Sequence, residues 1–214
     1  MYQIISGFTT IPPVASEPFR TVLVHGAEKL RRLDLSEDCN TTAILKGLRT
    51  AKEFNLPAEQ TNGESLISGV TLNGVEFDKH SVQQSTLFFR KFYPALLKSL
   101  LIKFNKYSVL TGNPGIFKSW FHWYILYCVV NGNVMNGFNP RLIVSQVAEN
   151  RLVFIFPEFD QVYYTLSVNV CLALLSDDIQ PDAALLLIKP EASLTEPQIT
   201  GIQTILTRSP DKKR

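Results

Sequence analysis

Apolar and polar positions change rhythm several times along this chain, and each rhythm predicts an element. Residues 21–25 read as a strand, residues 26–29 turn it, and residues 30–35 return as its partner. Ile44, Leu45, Leu48 and Ala51 then recur at helical spacing with Lys46, Arg49, Lys52 and Glu53 between them. This spacing predicts a helix over 41–54, and Asn40-Thr41-Thr42, formally a glycosylation triplet, reads as its cap. Val70-Thr71-Leu72 and Val75-Glu76-Phe77 flank Asn73-Gly74, a strong two-residue hairpin signal.

A second rhythm starts at Thr86. Leu87-Phe88-Phe89 is a short apolar run. Pro94 then opens a helix whose apolar face is Leu96, Leu97, Leu100 and Leu101. Residues 107–110 predict a strand and Trp120 to Val130 a helix that is apolar all round, the mark of a buried helix. Asn131-Gly132-Asn133 suits its C-terminal cap. Strands follow at 141–147, 151–156 and 162–166, the first two joined by a turn at Glu149-Asn150. Residues 183–188 form a continuous apolar run typical of a strand covered on both faces, and 204–207 are a last short strand. Residues 1–19 hold Pro12, Pro13 and Pro18 without periodicity and read as an irregular leader. Residues 20–80 thus outline a small α+β module similar to a ubiquitin-like grasp fold, with 56–65 as the best internal linker.

The candidate chemistry lies between the 107–110 strand and the long apolar helix. There the chain reads Thr111-Gly112-Asn113-Pro114-Gly115-Ile116-Phe117-Lys118-Ser119. Strand, glycine-containing turn, Lys-Ser and helix is the context of a phosphate-binding loop. Main-chain N–H groups at the turn and the helix start would face an anion, Lys118 would add a full charge, and Ser119 would offer a hydroxyl to magnesium. One position departs from the pattern. Counting from Gly112, the second glycine is due at 117, where Phe117 stands. Its ring would block the pocket, or swing out and leave its N–H in place. A plain turn between a buried strand and a buried helix is the competing reading.

Composition narrows the choices. The 214 residues are 45% hydrophobic and 11% aromatic, enough for a substantial core. A formal charge of +2 leaves no nucleic-acid footprint, so direct nucleic-acid binding gains no support from composition. Cys39, Cys128 and Cys171 are widely spaced, which favours buried free thiols over a disulfide framework or a zinc site. No apolar run reaches the ~18 residues of a membrane span, and the N-terminus lacks the cationic start of a signal peptide. His25, His80 and His122 are scattered, and His122 reads as a core histidine.

Several stretches form an ordered series: 89–93, 110–115, 118–127, 185–191 and 204–210. Together they resemble the NTPase domain of crinkler and RHS-type effectors, over about residues 84–214. The resemblance implies an α/β three-layer P-loop NTPase-like domain with a mostly parallel sheet, ending just after a sensor-like strand. It implies Gly112, Asn113, Pro114, Gly115, Lys118 and Ser119 as the phosphate loop, Lys118 for the β and γ phosphates and Ser119 for the metal. The cofactor would be ATP or GTP with magnesium. The acidic residue that ends the family's buried strand is replaced by Lys189, leaving Glu191, beyond Pro190, as substitute, and Arg208 falls near the sensor position. A degenerate loop and a missing metal carboxylate imply hydrolysis that is weak or lost, because phosphoryl transfer depends on positioning and charge stabilisation. The resemblance further implies an exported protein that acts in a host cell, with the host nucleus among its destinations, on a host or partner protein. The absent signal peptide keeps a cytoplasmic location open, and a non-catalytic interaction module is the alternative function.

Overall fold

A computed structural model describes residues 36–55, 66–72, 85–101, 107–111, 118–133, 138–148, 151–166, 184–188 and 202–208. The expected leader, the strands at 21–25 and 30–35, the run at 75–77 and the basic tail lie outside the described residues.

Ten strands and three helices are described. The strands are β1 (Ser36–Glu37), β2 (Glu53–Asn55), β3 (Leu66–Thr71), β4 (Thr86–Arg90), β5 (Tyr107–Thr111), β6 (Leu142–Ala148), β7 (Arg151–Phe156), β8 (Gln161–Thr165), β9 (Ala184–Ile188) and β10 (Gln203–Arg208). The helices are α1 (Cys39–Thr50), α2 (Tyr93–Leu100) and α3 (Lys118–Val130). One sheet has seven strands in the order β1-β8-β7-β6-β9-β10-β5, and the other has three in the order β2-β3-β4.

Each helix has a local cause. Asp38 caps α1 by accepting a hydrogen bond from the Thr41 N–H at 3.0 Å, while Ile44, Leu45 and Leu48 are buried on one face. The cap is therefore Asp38, and the Asn40 triplet lies within the first turn. The helix stops at Thr50, short of the expected residue 54, because Ala51 turns extended and feeds β2. Pro94 sits in the first turn of α2, as expected. The Leu100 carbonyl at its far end accepts from Ser108 Oγ and Gln203 Nε2, which accounts for two buried polar residues on the sheet. At the end of α3, Gly132 takes φ +67° and its N–H bonds Val129 O, while the Asn133 N–H bonds Cys128 O. That pair of bonds is a Schellman cap, at the expected Asn-Gly-Asn.

The core joins the three helices to both sheets. Leucines and isoleucines of α1 pack in one cluster with Tyr93 and Leu97 of α2, Phe121 and Ile125 of α3, and Ile143, Val153, Leu185, Leu187 and Ile205 of the large sheet. Strand register puts those sheet residues on one face, so the described helices cover the same face. Leu142, Val144, Phe154, Leu186 and Leu206, on the opposite face, are buried as well. All five residues of β9 are buried, matching its unbroken apolar run.

The fold differs from the expected three-layer domain with a mostly parallel sheet. Only β6–β9, β9–β10 and β10–β5 pair in parallel, whereas β6–β7, β7–β8, β8–β1 and both pairs of the small sheet are antiparallel. The cause is connection length. The links from β6 to β7 and from β7 to β8 are far too short for a crossover, so each strand reverses against its neighbour. The sheets also cross the expected division between residues 80 and 84. Strand β1 joins the large sheet and β4 completes the small one. Residues 73–77, where the Asn73-Gly74 hairpin was expected, lie outside the described residues; strand β3 itself is paired with β2 on one edge and with β4 on the other.

Candidate functional site

The expected phosphate loop connects β5 to α3. Strand β5 ends at Thr111, and α3 starts at Lys118, so Lys118 and Ser119 are the first two helical residues. The free N–H groups of a helix's first turn and the positive end of its dipole fall there. Gly112, Asn113, Pro114, Gly115 and Phe117 lie outside the described residues, as do Lys189 and Glu191.

Register fixes the surroundings of this corner. Strand β10 runs parallel between β5 and β9, with Arg208 paired to Thr111 and Leu206 to Ile188. The carboxyl ends of three parallel strands therefore lie along one edge, with the start of α3 following the first of them. Arg208 is the final residue of β10, directly beside the residue that leads into the loop. In open sheets, crevices outside the carboxyl ends of parallel strands are where ligands bind. Strand β9 is Ala-Leu-Leu-Leu-Ile and brings no carboxylate to that edge.

A second site was not foreseen. A cavity of about 280 Å³ opens between the small sheet and α3, lined by Glu53, Ser68, Phe89, Tyr124, Tyr127 and Cys128 among others. Ser68 Oγ donates to Glu53 Oε1 at 2.7 Å, and Tyr127 OH donates to Glu53 Oε2 at 3.4 Å. The Phe89 ring stands 5.0 Å from both Tyr124 and Tyr127, centroid to centroid. Burial raises the pKa of Tyr124 and of Tyr127, and pushes the Cys128 thiol up to about 11. Tyr124 and Cys128 stand one helical turn apart on α3, and both line the cavity. Tyr124 and Cys128 lie roughly 9 and 15 Å along the axis from Lys118, at 1.5 Å per residue, so the cavity is distinct from the loop corner.

His122 is half-buried on α3, Cys128 is buried, and Cys39 is exposed rather than buried as expected. Among the described residues no helix is long and apolar enough to cross a membrane, and no cluster of three or more His, Cys, Asp or Glu is disposed to hold a metal ion. Comparison with protein-family models, with curated proteins and with solved structures finds no match for this chain.

Proposed function

We propose that the 111–119 corner binds the phosphates of ATP or GTP, and that the chain acts as a crinkler/RHS-like effector with weak or lost hydrolysis. The supporting observation is the start of α3 at Lys118, beside the joined carboxyl ends of β5 and β10. A lysine at a helix N-terminus adds a full charge to a set of main-chain donors, and both favour a polyphosphate. Lys118 would hold the β and γ phosphates, and Arg208, paired in register with Thr111, would be a further cation beside the loop. A bound nucleotide would supply the transferable phosphoryl group. The fit for magnesium is poorer. Ser119 would offer its hydroxyl, but β9 ends in Ile188 and the next residue is Lys189, which opposes a cation. By the same resemblance the protein would be exported and would meet a host protein.

A fluorescent ATP or GTP analogue titrated into the full chain tests the reading. Saturable binding that Lys118→Ala weakens by roughly tenfold or more is the expected result, since the loss of one charge-assisted contact has about that effect. Unchanged affinity in Lys118→Ala would remove the loop assignment.

Phe117 and Lys189 favour a second reading, a non-catalytic interaction module that binds a partner protein. The double variant Phe117→Gly with Lys189→Asp separates the two. A gain of hydrolysis indicates an enzyme that has decayed, and no gain indicates a scaffold.

A further inference from the structure

We infer that the cavity between the small sheet and α3 binds a small organic cation, an alkylammonium head, with Glu53 as counter-charge and the rings of Phe89, Tyr124 and Tyr127 as its wall. This inference is independent of the nucleotide reading, because the cavity lies further along α3 than the loop corner.

Charge is the first reason. Among the described lining residues none is Lys, Arg or His, and Glu53 is the single carboxylate. The raised pKa values of Tyr124, Tyr127 and Cys128 keep these groups neutral at physiological pH. Among the described residues the lining therefore carries one negative charge and no cation to balance it. An anion would meet the like charge of Glu53 there, whereas an ammonium group would meet an opposite one. The two Glu53 oxygens each accept one neutral hydroxyl, leaving about two of their four lone-pair sites open to a further donor or cation.

Ring chemistry is the second. Aromatic faces are electron-rich and attract ammonium groups within ~6 Å of the centroid. Phe89, 5.0 Å from each of the two tyrosine rings, and the neighbouring Glu53 carboxylate combine both attractions in one place. Size is the third. At about 280 Å³ the cavity holds on the order of nine water volumes, enough for a choline-sized head and too little for a nucleotide.

The test uses the full chain, choline, and choline's uncharged isostere 3,3-dimethyl-1-butanol, followed by tyrosine fluorescence and calorimetry. Choline should saturate the protein and bind at least roughly tenfold tighter than the isostere. Glu53→Gln should remove that preference by weakening choline roughly tenfold without weakening the isostere. Tyr127→Phe keeps the ring and should hold choline affinity within about threefold, whereas Tyr127→Leu should weaken it roughly tenfold. Equal affinity for both ligands would overturn the assignment, as would choline binding indifferent to Glu53→Gln, or no saturation by about 10 mM choline.

Discussion

The Arg49 guanidinium holds Asp160 through two donors, Nε and a terminal nitrogen, with the closest approach at 2.8 Å. The same side chain donates to Val130 O at the end of α3 and to Pro157 O in the β7–β8 turn. One residue at the end of α1 thus ties two other segments together across a sequence gap of 111 residues. Asn131 adds a parallel tie, donating from Nδ2 to Leu48 O and Tyr127 O. Asp160 has φ +50°, a conformation that Asp and Asn tolerate better than most residues.

Separate contributions follow for the two halves of this contact. The ion pair is partly exposed, so Asp160→Asn should cost no more than about 1 kcal/mol. Arg49→Ala also strands two carbonyls and should cost about 2–3 kcal/mol. Urea melts of the two variants measure the difference, and equal losses would show that the carbonyl contacts contribute little.

Asp38 has two duties in one carboxylate. Oδ1 caps α1, and Oδ2 accepts from Arg151 at 2.7 Å, while the Arg151 guanidinium lies 4.7 Å from the centre of the Tyr164 ring. Asp38→Ser keeps a capping oxygen and loses the charge partner. Asp38→Ala loses both and should be less stable than Asp38→Ser by about 1 kcal/mol. Thermal melts compare them, and identical midpoints would show that the cap is not stabilising.

Local chemistry was readable where it acts within a few residues. Pro94 at the start of α2, the Asn-Gly-Asn cap of α3 and the apolar run of β9 each announce an element through the chain's own periodicity or turn chemistry. Pairing was less readable, because it is decided by distant partners. Nothing near Asn73-Gly74 reveals that β3 is flanked by β2 and β4, and nothing in residues 36–37 reveals β8. The two sites divide along the same line. The helix α3 was legible from the contiguous apolar block at Trp120 to Val130, and it starts two residues earlier, at Lys118. The cavity was not legible, since Glu53 meets Ser68 and Tyr127 across separations of 15 and 74 residues.

Alkaline pH should loosen the core. Tyr93 has its pKa pushed up to about 12 from 10.0, chiefly by burial, with Arg90 opposing, and Cys128 goes to about 11 from 9.0 by the same main cause. Both groups bind their proton more tightly folded than unfolded. Their contribution is therefore intact below pH 9, where neither state has ionised, and is lost as pH rises through 11 and 12. The melting temperature should hold steady to about pH 9 and fall beyond it. Cys128→Ala should delay the onset of that fall, and a variant that starts to fall at the same pH as the parent would clear Cys128 of responsibility.

Two glycines give the final comparison, because one is required for space and the other for backbone angle. A Cβ at Gly69 would stand 2.8 Å from Leu87 O and 3.0 Å from the Phe54 ring. The carbonyl belongs to the adjacent strand and cannot move without opening the β3–β4 ladder, so Gly69→Ala should cost about 1–3 kcal/mol. A Cβ at Gly132 would meet nothing within 4 Å, but φ +67° is strained for any side chain, and Gly132→Ala should cost about 1 kcal/mol. Gly132→Asn separates the causes, since Asn enters the left-handed region readily and should recover about half of that loss. Gly69→Asn should recover nothing and fall below Gly69→Ala, being larger at a position limited by volume. Chemical denaturation of the four variants decides the matter, and an Asn that rescued position 69 would show that its constraint is conformational after all.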